Sequence, residues 1–199
     1  AAGGEGSVYR TNLPGQVCKI YHQDKLTIAR YEKLRLMLSR EVSIRGVCWP
    51  TDLAQVADGT FVGYLMPEVR GKILRTSVWG KKLLERHHPG FTRLHLVKLC
   101  ETIADAIRQL HELNIFIGDI NPMNVLIVDE NEIHIVDADS FQVGPYPCPV
   151  GTEPYTPARL QGKSFGSFLR THDDEMFAVT ILLFEILLPG KHPYSAQEG

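Results

Sequence analysis

No two of the four cysteines, Cys18, Cys48, Cys100 and Cys148, form a C-x-x-C pair. Their wide spacing offers neither a zinc site nor a disulfide framework, so they read as reduced thiols of a cytoplasmic chain. Charge of one sign is also lacking: 21 Lys and Arg stand against 23 Asp and Glu, a formal net charge of −2. That balance gives no large positive field to draw nucleic acid or an anionic membrane, and neither is expected as a partner. Long hydrophobic runs are absent. The most apolar stretch, 178–188, is interrupted by Glu185 and falls short of the roughly 20 residues a membrane-spanning helix needs. The opening AAGGEGSVYR carries no apolar segment of the kind a signal peptide requires. What remains is ordinary globular composition, 199 residues with 44% hydrophobic and 22% charged, enough for a sizeable core in one domain with room for two lobes.

The halves are unlike, and neither contains an internal repeat or a low-complexity tract. Residues 1–70 read as strand-rich: GSVYR and QVCKIY flank the turn signal Asn12-Leu13-Pro14-Gly15, and TFVGYLMPEV follows later. One helix interrupts them, from about Leu26 to Arg40, with Asp24 as the expected cap and Leu34, Met37 and Leu38 as its apolar face. From residue 71 on, helix dominates. Leu96, Leu99, Ile103, Ala106, Ile107 and Leu110 recur at i, i+3, i+4 spacing, and a second apolar helix is expected over about 175–188, stopped by Pro189-Gly190. Between them lie a short strand pair, 124–128 and 133–136, and the Pro-rich GPYPCPVGTEPYTPARL.

The strand pair sits in an unusual setting. FIGDINPMNVLIVDENEIHIVDADSF, residues 116–141, places Asp119, Asn124 and Asp137 at the ends of apolar runs. Turn residues of a plain hairpin would account for some of this. Carboxylate and amide oxygens gathered at strand ends also suit a metal–polyphosphate. The spacing Asp119, Asn124 and, thirteen residues further, Asp137 resembles the catalytic loop and metal-binding segment of the protein kinase family, H-R-D-x-x-x-x-N and D-F-G. By that resemblance Asp119 orients the proton of the attacking hydroxyl, while Asn124 and Asp137 hold Mg2+ on the phosphates of ATP.

The resemblance extends through the chain in order. GGEGSV matches the later part of a glycine-rich phosphate loop, with Gly3 and Gly6 as its glycines and Val8 as the valine over adenine. Lys19 in VCKIY resembles the phosphate-binding lysine of V-A-I-K, and Val17 takes the alanine position. A helix glutamate should fix that lysine. Glu32 is the choice over Glu41, because one turn later Leu36 can pack inward whereas Glu41 is followed by Arg45; a plain surface pairing with Arg35 is the competing reading. YLMPEVRG resembles the strand entering the hinge, with Met66, Glu68 and Val69 at the adenine and Leu126 below it. VGTEPYTPARL looks like the end of an activation loop, with Thr152 near Asp119. More narrowly, GYLMPEV, GDINPMN, VDADSFQ and GKHPY resemble bacterial Ser/Thr kinase domains of tellurite-resistance gene clusters. That likeness implies a cognate phosphatase and a von Willebrand A-type protein as partners.

Several positions depart from the family pattern. Ile117-Gly118 replace His-Arg, which removes the arginine that gathers a phosphorylated loop. The loop is therefore expected to be ordered without phosphorylation. Asn121, counted with the catalytic group, stands in place of a lysine. Ala138-Asp139 replace Phe-Gly, and Arg159 replaces a glutamate. Glu175 or Asp174 is left to supply the acidic start of the last helix. The expectation is an α+β, two-lobed protein-kinase-like fold: a β-rich N-lobe with one helix over 1–70, and a mainly helical C-lobe over 71–199 whose last helices lie beyond the sequence. The implied activity is Mg-ATP-dependent phosphorylation of Ser or Thr on a protein substrate. Two alternatives stay open: a small-molecule kinase of the aminoglycoside or choline type, and a nucleotide-binding pseudokinase scaffold.

Overall fold

The computed structural model describes residues 4–195. Alternating side chains in the first half build an antiparallel sheet from β1 (Gly6–Arg10), β2 (Gln16–Tyr21), β3 (Asp52–Gln55) and β4 (Phe61–Pro67), in the order β1-β2-β4-β3. Gly63 allows β4 to lie tight on β2, since a Cβ there would fall 1.9 Å from the Lys19 carbonyl oxygen. Helix α1 (Ile28–Leu38) packs on this sheet through Leu34 and Met37. Its cap is Thr27, whose side chain accepts from the Arg30 amide at 3.2 Å. Asp24, expected in that role, instead lies within a 3-10 turn over Gln23–Lys25.

The second half is mainly helical. After β5 (Lys72–Ile73) come two short helices, α2 (Leu74–Ser77) and α3 (Lys81–His87), and then α4 (Arg93–Glu112). The predicted apolar stripe of α4, Leu96, Leu99, Ile103, Ala106, Ile107 and Leu110, is buried. Strands β6 (Ile115–Phe116), β7 (Val125–Ile127), β8 (Ile133–Ile135) and β9 (Gln142–Val143) follow, and α5 (His172–Leu187) packs on α4. β7 pairs with β8 and with β5, while β6 pairs with β9. These small sheets carry the polar segments 117–124 and 136–141 at their ends. The Val136 amide donates to the Asn124 carbonyl at 2.9 Å, which draws the two segments together. The Cys48 amide donates to the Ile135 carbonyl at 3.0 Å, tying the loop before β3 to the hairpin. The architecture is thus α+β, an antiparallel N-terminal sheet with one helix and a helical C-terminal part, compatible with a two-lobed kinase-like fold. Among the described residues no helix is long and apolar enough to cross a membrane.

One residue on α1 works against this packing. Lys33 is buried, and its ammonium reaches the Pro147 carbonyl only at 3.5 Å. Burial drives its pKa down from 10.5 to about 8; Arg30 adds to the fall, and the nearby Cys148, Asp139 and Glu5 oppose it. The unfolded chain therefore holds a proton that the folded chain releases between those two values. The resulting cost to stability is in full force below about pH 8 and vanishes as pH rises past 10.5. Lys33→Met is expected to stabilise the fold by about 1–3 kcal/mol near pH 7, with the gain shrinking steadily toward pH 10 in denaturant titrations. A gain independent of pH would assign it to packing alone.

Candidate active site

Strand register explains how the site assembles. Val17, Lys19 and Tyr21 alternate on one face of β2, with Val8 on β1 opposite Lys19 and with Met66 and Tyr64 on β4 opposite Val17 and Lys19. Below that face β7 contributes Leu126, and the residues just after β8 contribute Val136 and Asp137. Together these residues, with Glu68 and Val69 where the chain leaves β4, line one cleft of about 430 Å³. Of the residues expected to bind the nucleotide, Val8, Val17, Lys19, Met66, Glu68, Val69 and Leu126 all line it. Gly6 lies behind them, pressed against the Ile20 carbonyl, where a Cβ would sit at 2.3 Å. Gly3 lies outside the described residues.

At the inner end of the cleft, Lys19 Nζ donates to Asp137 Oδ1 at 2.6 Å and to both oxygens of Asp139 at 2.9 and 3.0 Å. Burial by itself would lower the Lys19 pKa, but Asp139 and then Asp137 outweigh it and hold the ammonium above its ordinary value. Asp137 has φ +66 and ψ 36, a left-handed conformation that few non-glycine residues adopt. From there the 3-10 turn Ala138–Ser140 brings Asp139 back to the same lysine. Burial and the charge of Asp139 push the Asp137 carboxyl up, with Lys19 pulling the other way.

The expected Lys19–Glu32 ion pair is not formed. Glu32 is exposed on α1 and accepts from the Tyr146 hydroxyl at 3.3 Å. The reason lies in the phase of the helix: Arg30, Lys33 and Leu34 face inward, so the position one residue before Lys33 points to solvent. The carboxylates near Lys19 come instead from Asp137, from Asp139 and from Glu5 at 3.7 Å.

Asp119 follows β6, in a loop fixed from several sides. Its Oδ1 accepts from Thr152 Oγ1 at 2.8 Å and its Oδ2 from Asn121 Nδ2 at 2.9 Å. Asn124 Nδ2 donates to the Asp119 carbonyl at 3.3 Å. The loop backbone is gripped by buried Glu175 in the first turn of α5: Oε1 accepts from the Ile117 amide at 2.9 Å and Oε2 from the Gly118 amide at 2.7 Å. Asp174, the other residue considered for that position, caps α5 and meets Arg159 at 2.6 Å. The arginine that the sequence lacks next to Asp119 has a counterpart that sequence reading missed. Buried Arg170 donates from Nη2 to the Val150 carbonyl at 2.6 Å and from Nη1 to the Cys148 carbonyl at 3.5 Å. Its guanidinium also lies 4.6 Å from the centre of the Phe165 ring.

Asn124 and Asp137 offer an amide and a carboxylate oxygen, the donor types a magnesium ion takes when water and phosphate complete its shell. Among the described residues no cluster of three His, Cys, Asp or Glu side chains could hold a metal without such help.

No family model matches the sequence. The chain is 30% identical over 202 residues to Protein kinase YegI of Escherichia coli O157:H7, an alignment covering 97% of this chain and 31% of that protein. The protein of the same name from Escherichia coli strain K12 matches at 30% over the same length. Probable serine/threonine-protein kinase irlD of Dictyostelium discoideum is 26% identical over 112 residues, 52% of this chain and 7% of that protein. The chain therefore spans about a third of the length of the two bacterial relatives. These similarities, at modest identity, support a place for the chain in the protein kinase family.

Proposed function

We propose that the chain is the catalytic segment of a protein kinase that transfers the γ-phosphoryl group of ATP to a Ser or Thr hydroxyl of a protein. One observation carries this reading: a nucleotide-sized cleft ends at Lys19 and Asp137, and the loop joined to it through Asn124 holds Asp119 with its carboxylate bonded to a loop hydroxyl. The 2.8 Å bond from Thr152 is a stand-in for the geometry an acceptor hydroxyl needs to pass its proton to Asp119. In this reading Lys19 binds phosphate oxygens, the cleft walls exclude water from the adenine, and Asn121 turns the Asp119 carboxylate. Asn124 and Asp137 would hold Mg2+, which when bound neutralises charge on the phosphates. The names of the relatives support kinase activity in general. The Ser/Thr preference, the cytoplasmic location and the tellurite-cluster context, with its phosphatase and von Willebrand A-type partners, rest on motif resemblance and form part of the same proposal. So does the division into an N-lobe to residue 70 and a C-lobe from 71. The Thr152 segment favours a protein acceptor over a small molecule.

The test is incubation with radiolabelled ATP and a generic protein acceptor, combined with calorimetric titration of Mg-ATP. Wild type is expected to label serine or threonine. Asp137→Asn is expected to lose about tenfold or more of the Mg-dependent affinity, since a ligand of the metal is gone. Label released only as free phosphate, or unchanged Mg-ATP affinity in the variant, would overturn the reading.

A further inference from the structure

In the family that the site resembles, a carboxylate on the helix after the lysine strand fixes the lysine. Here α1 carries a single acidic residue, Glu32, and it faces solvent. Beside the apolar Leu34 and Met37, the inward face of α1 carries two basic residues. Arg30 Nη2 donates to Glu5 at 2.7 Å and its guanidinium stacks 4.4 Å from the centre of the Tyr21 ring, while Lys33 is buried beside it. A helix that presents cations cannot anchor a lysine.

Asp139 has the properties that the helix lacks. Its side chain is 1% exposed. Lys19 reaches both of its oxygens, the Tyr21 hydroxyl donates to Oδ2 at 2.6 Å, and the Tyr64 hydroxyl donates to Oδ1 at 2.7 Å. Arg30 Nη1 adds a cation 3.9 Å from Oδ2. A buried carboxylate persists only when so surrounded, because an unpaired one would be driven to protonate. The tyrosines do not arise by chance of packing: Tyr21 shares the β2 face with Lys19, and Tyr64 is its direct cross-strand partner.

We infer that Asp139, locked by the Tyr21 and Tyr64 hydroxyls, is the residue that positions Lys19 for the nucleotide phosphates, in place of a carboxylate on α1. This rests on the phosphoryl-transfer reading given above. Because Asp139 lies two residues after Asp137, the positioning carboxylate and the metal-binding one belong to the same short turn. Displacing α1 would therefore leave Lys19 aligned, a different dependence from that of a kinase whose lysine is held by its helix. Among the described residues, α1 approaches the phosphate end chiefly through Arg30, which bonds Glu5 at 2.7 Å and lies 3.9 Å from Asp139.

The experiment measures ATP affinity, kcat and KM for wild type, Asp139→Asn, Tyr64→Phe, Glu32→Gln, Lys19→Met and the Lys19→Met/Asp139→Asn pair, at a temperature where each is folded by circular dichroism. Asp139→Asn keeps the side-chain volume and is expected to lower kcat/KM for ATP by about 100-fold, as a misplaced phosphate contact does. The loss should fall in kcat more than in ATP affinity. The pair should be little worse than Lys19→Met, since one unit is lost twice; a merely structural role for Asp139 would multiply with the lysine loss instead. Tyr64→Phe should lose several-fold and serves as the reporter should Asp139→Asn not fold, while Glu32→Gln should match wild type. A wild type that neither binds ATP nor transfers phosphate would overturn the kinase reading and this inference together. An active wild type with an equally active Asp139→Asn, or with Glu32→Gln as damaged as Asp139→Asn, would overturn the inference alone.

Discussion

Asp119→Asn is expected to lower turnover by about 10²–10⁴-fold while Mg-ATP affinity stays within about twofold. The substitution is nearly isosteric, so the loop should keep its shape: an asparagine oxygen can still accept from Thr152 or Asn121, as the carboxylate does at 2.8 and 2.9 Å. What is lost is the negative charge and the capacity to take the acceptor's proton. Asp119 does not line the nucleotide cleft, so ground-state binding of ATP has little reason to change. Initial rates of label transfer, set beside a calorimetric titration, separate the two quantities. Turnover equal to wild type would remove Asp119 from the chemistry, and loss of ATP affinity in step with turnover would place it in binding instead.

Gly118→Ala is expected to destabilise the fold by about 2–4 kcal/mol, on the order of 10 °C in melting temperature, and to abolish most activity in what remains folded. Two independent costs add here. The residue has φ +75, where any side chain is strained, and an added Cβ would sit 2.3 Å from Arg170 Nη1 and 2.4 Å from Cys148 Cβ. Relief would push Arg170 off the Val150 carbonyl or lift the Gly118 amide off Glu175. Either movement disturbs the segment that carries Asp119 and Thr152. Thermal melts and rates measured at low temperature would check both effects. A variant as stable and active as wild type would show that the loop can shift without cost. The same crowding explains why the neighbour of Asp119 is not an arginine: the guanidinium of Arg170, arriving from just before α5, already fills that space. Val150 and Cys148 are held by this buried cation, which gives a physical basis for expecting the loop to be ordered without phosphorylation.

The sequence by itself determined the strands and the long helices, because period-2 and period-3.6 burial leave a direct trace, as in β2 and in the stripe of α4. It also singled out Asp119, Asn124 and Asp137, because their place at the ends of apolar runs suits a charged ligand as well as a hairpin turn, and their spacing resembles a kinase catalytic loop. The cleft walls were legible through the resemblance of VCKIY and YLMPEV to kinase segments, and the strand register then places Val17, Lys19 and Met66 along one cleft. Short helices such as α2 and α3 carried no comparable signal. The partner of Lys19 was decided by tertiary structure. The choice of Glu32 relied on which face of the helix turns inward, judged from Leu36 one turn later, and a helix rotation of about 100° per residue separates an inward from an outward position. The spacing Asp137-Ala138-Asp139 offered a clue that local pattern could not interpret, since Asp139 gains its meaning only from Tyr21, Tyr64 and Lys19, which are 75 to 120 residues away. Arg170 was hidden for the same reason. Its role depends on the empty side of Gly118 and on carbonyls 20 and 22 residues earlier. Local propensity and periodicity act within a few residues, whereas a buried charge is satisfied by whichever groups the fold delivers to it, so the pairing of the ions was settled only when the chain closed around them.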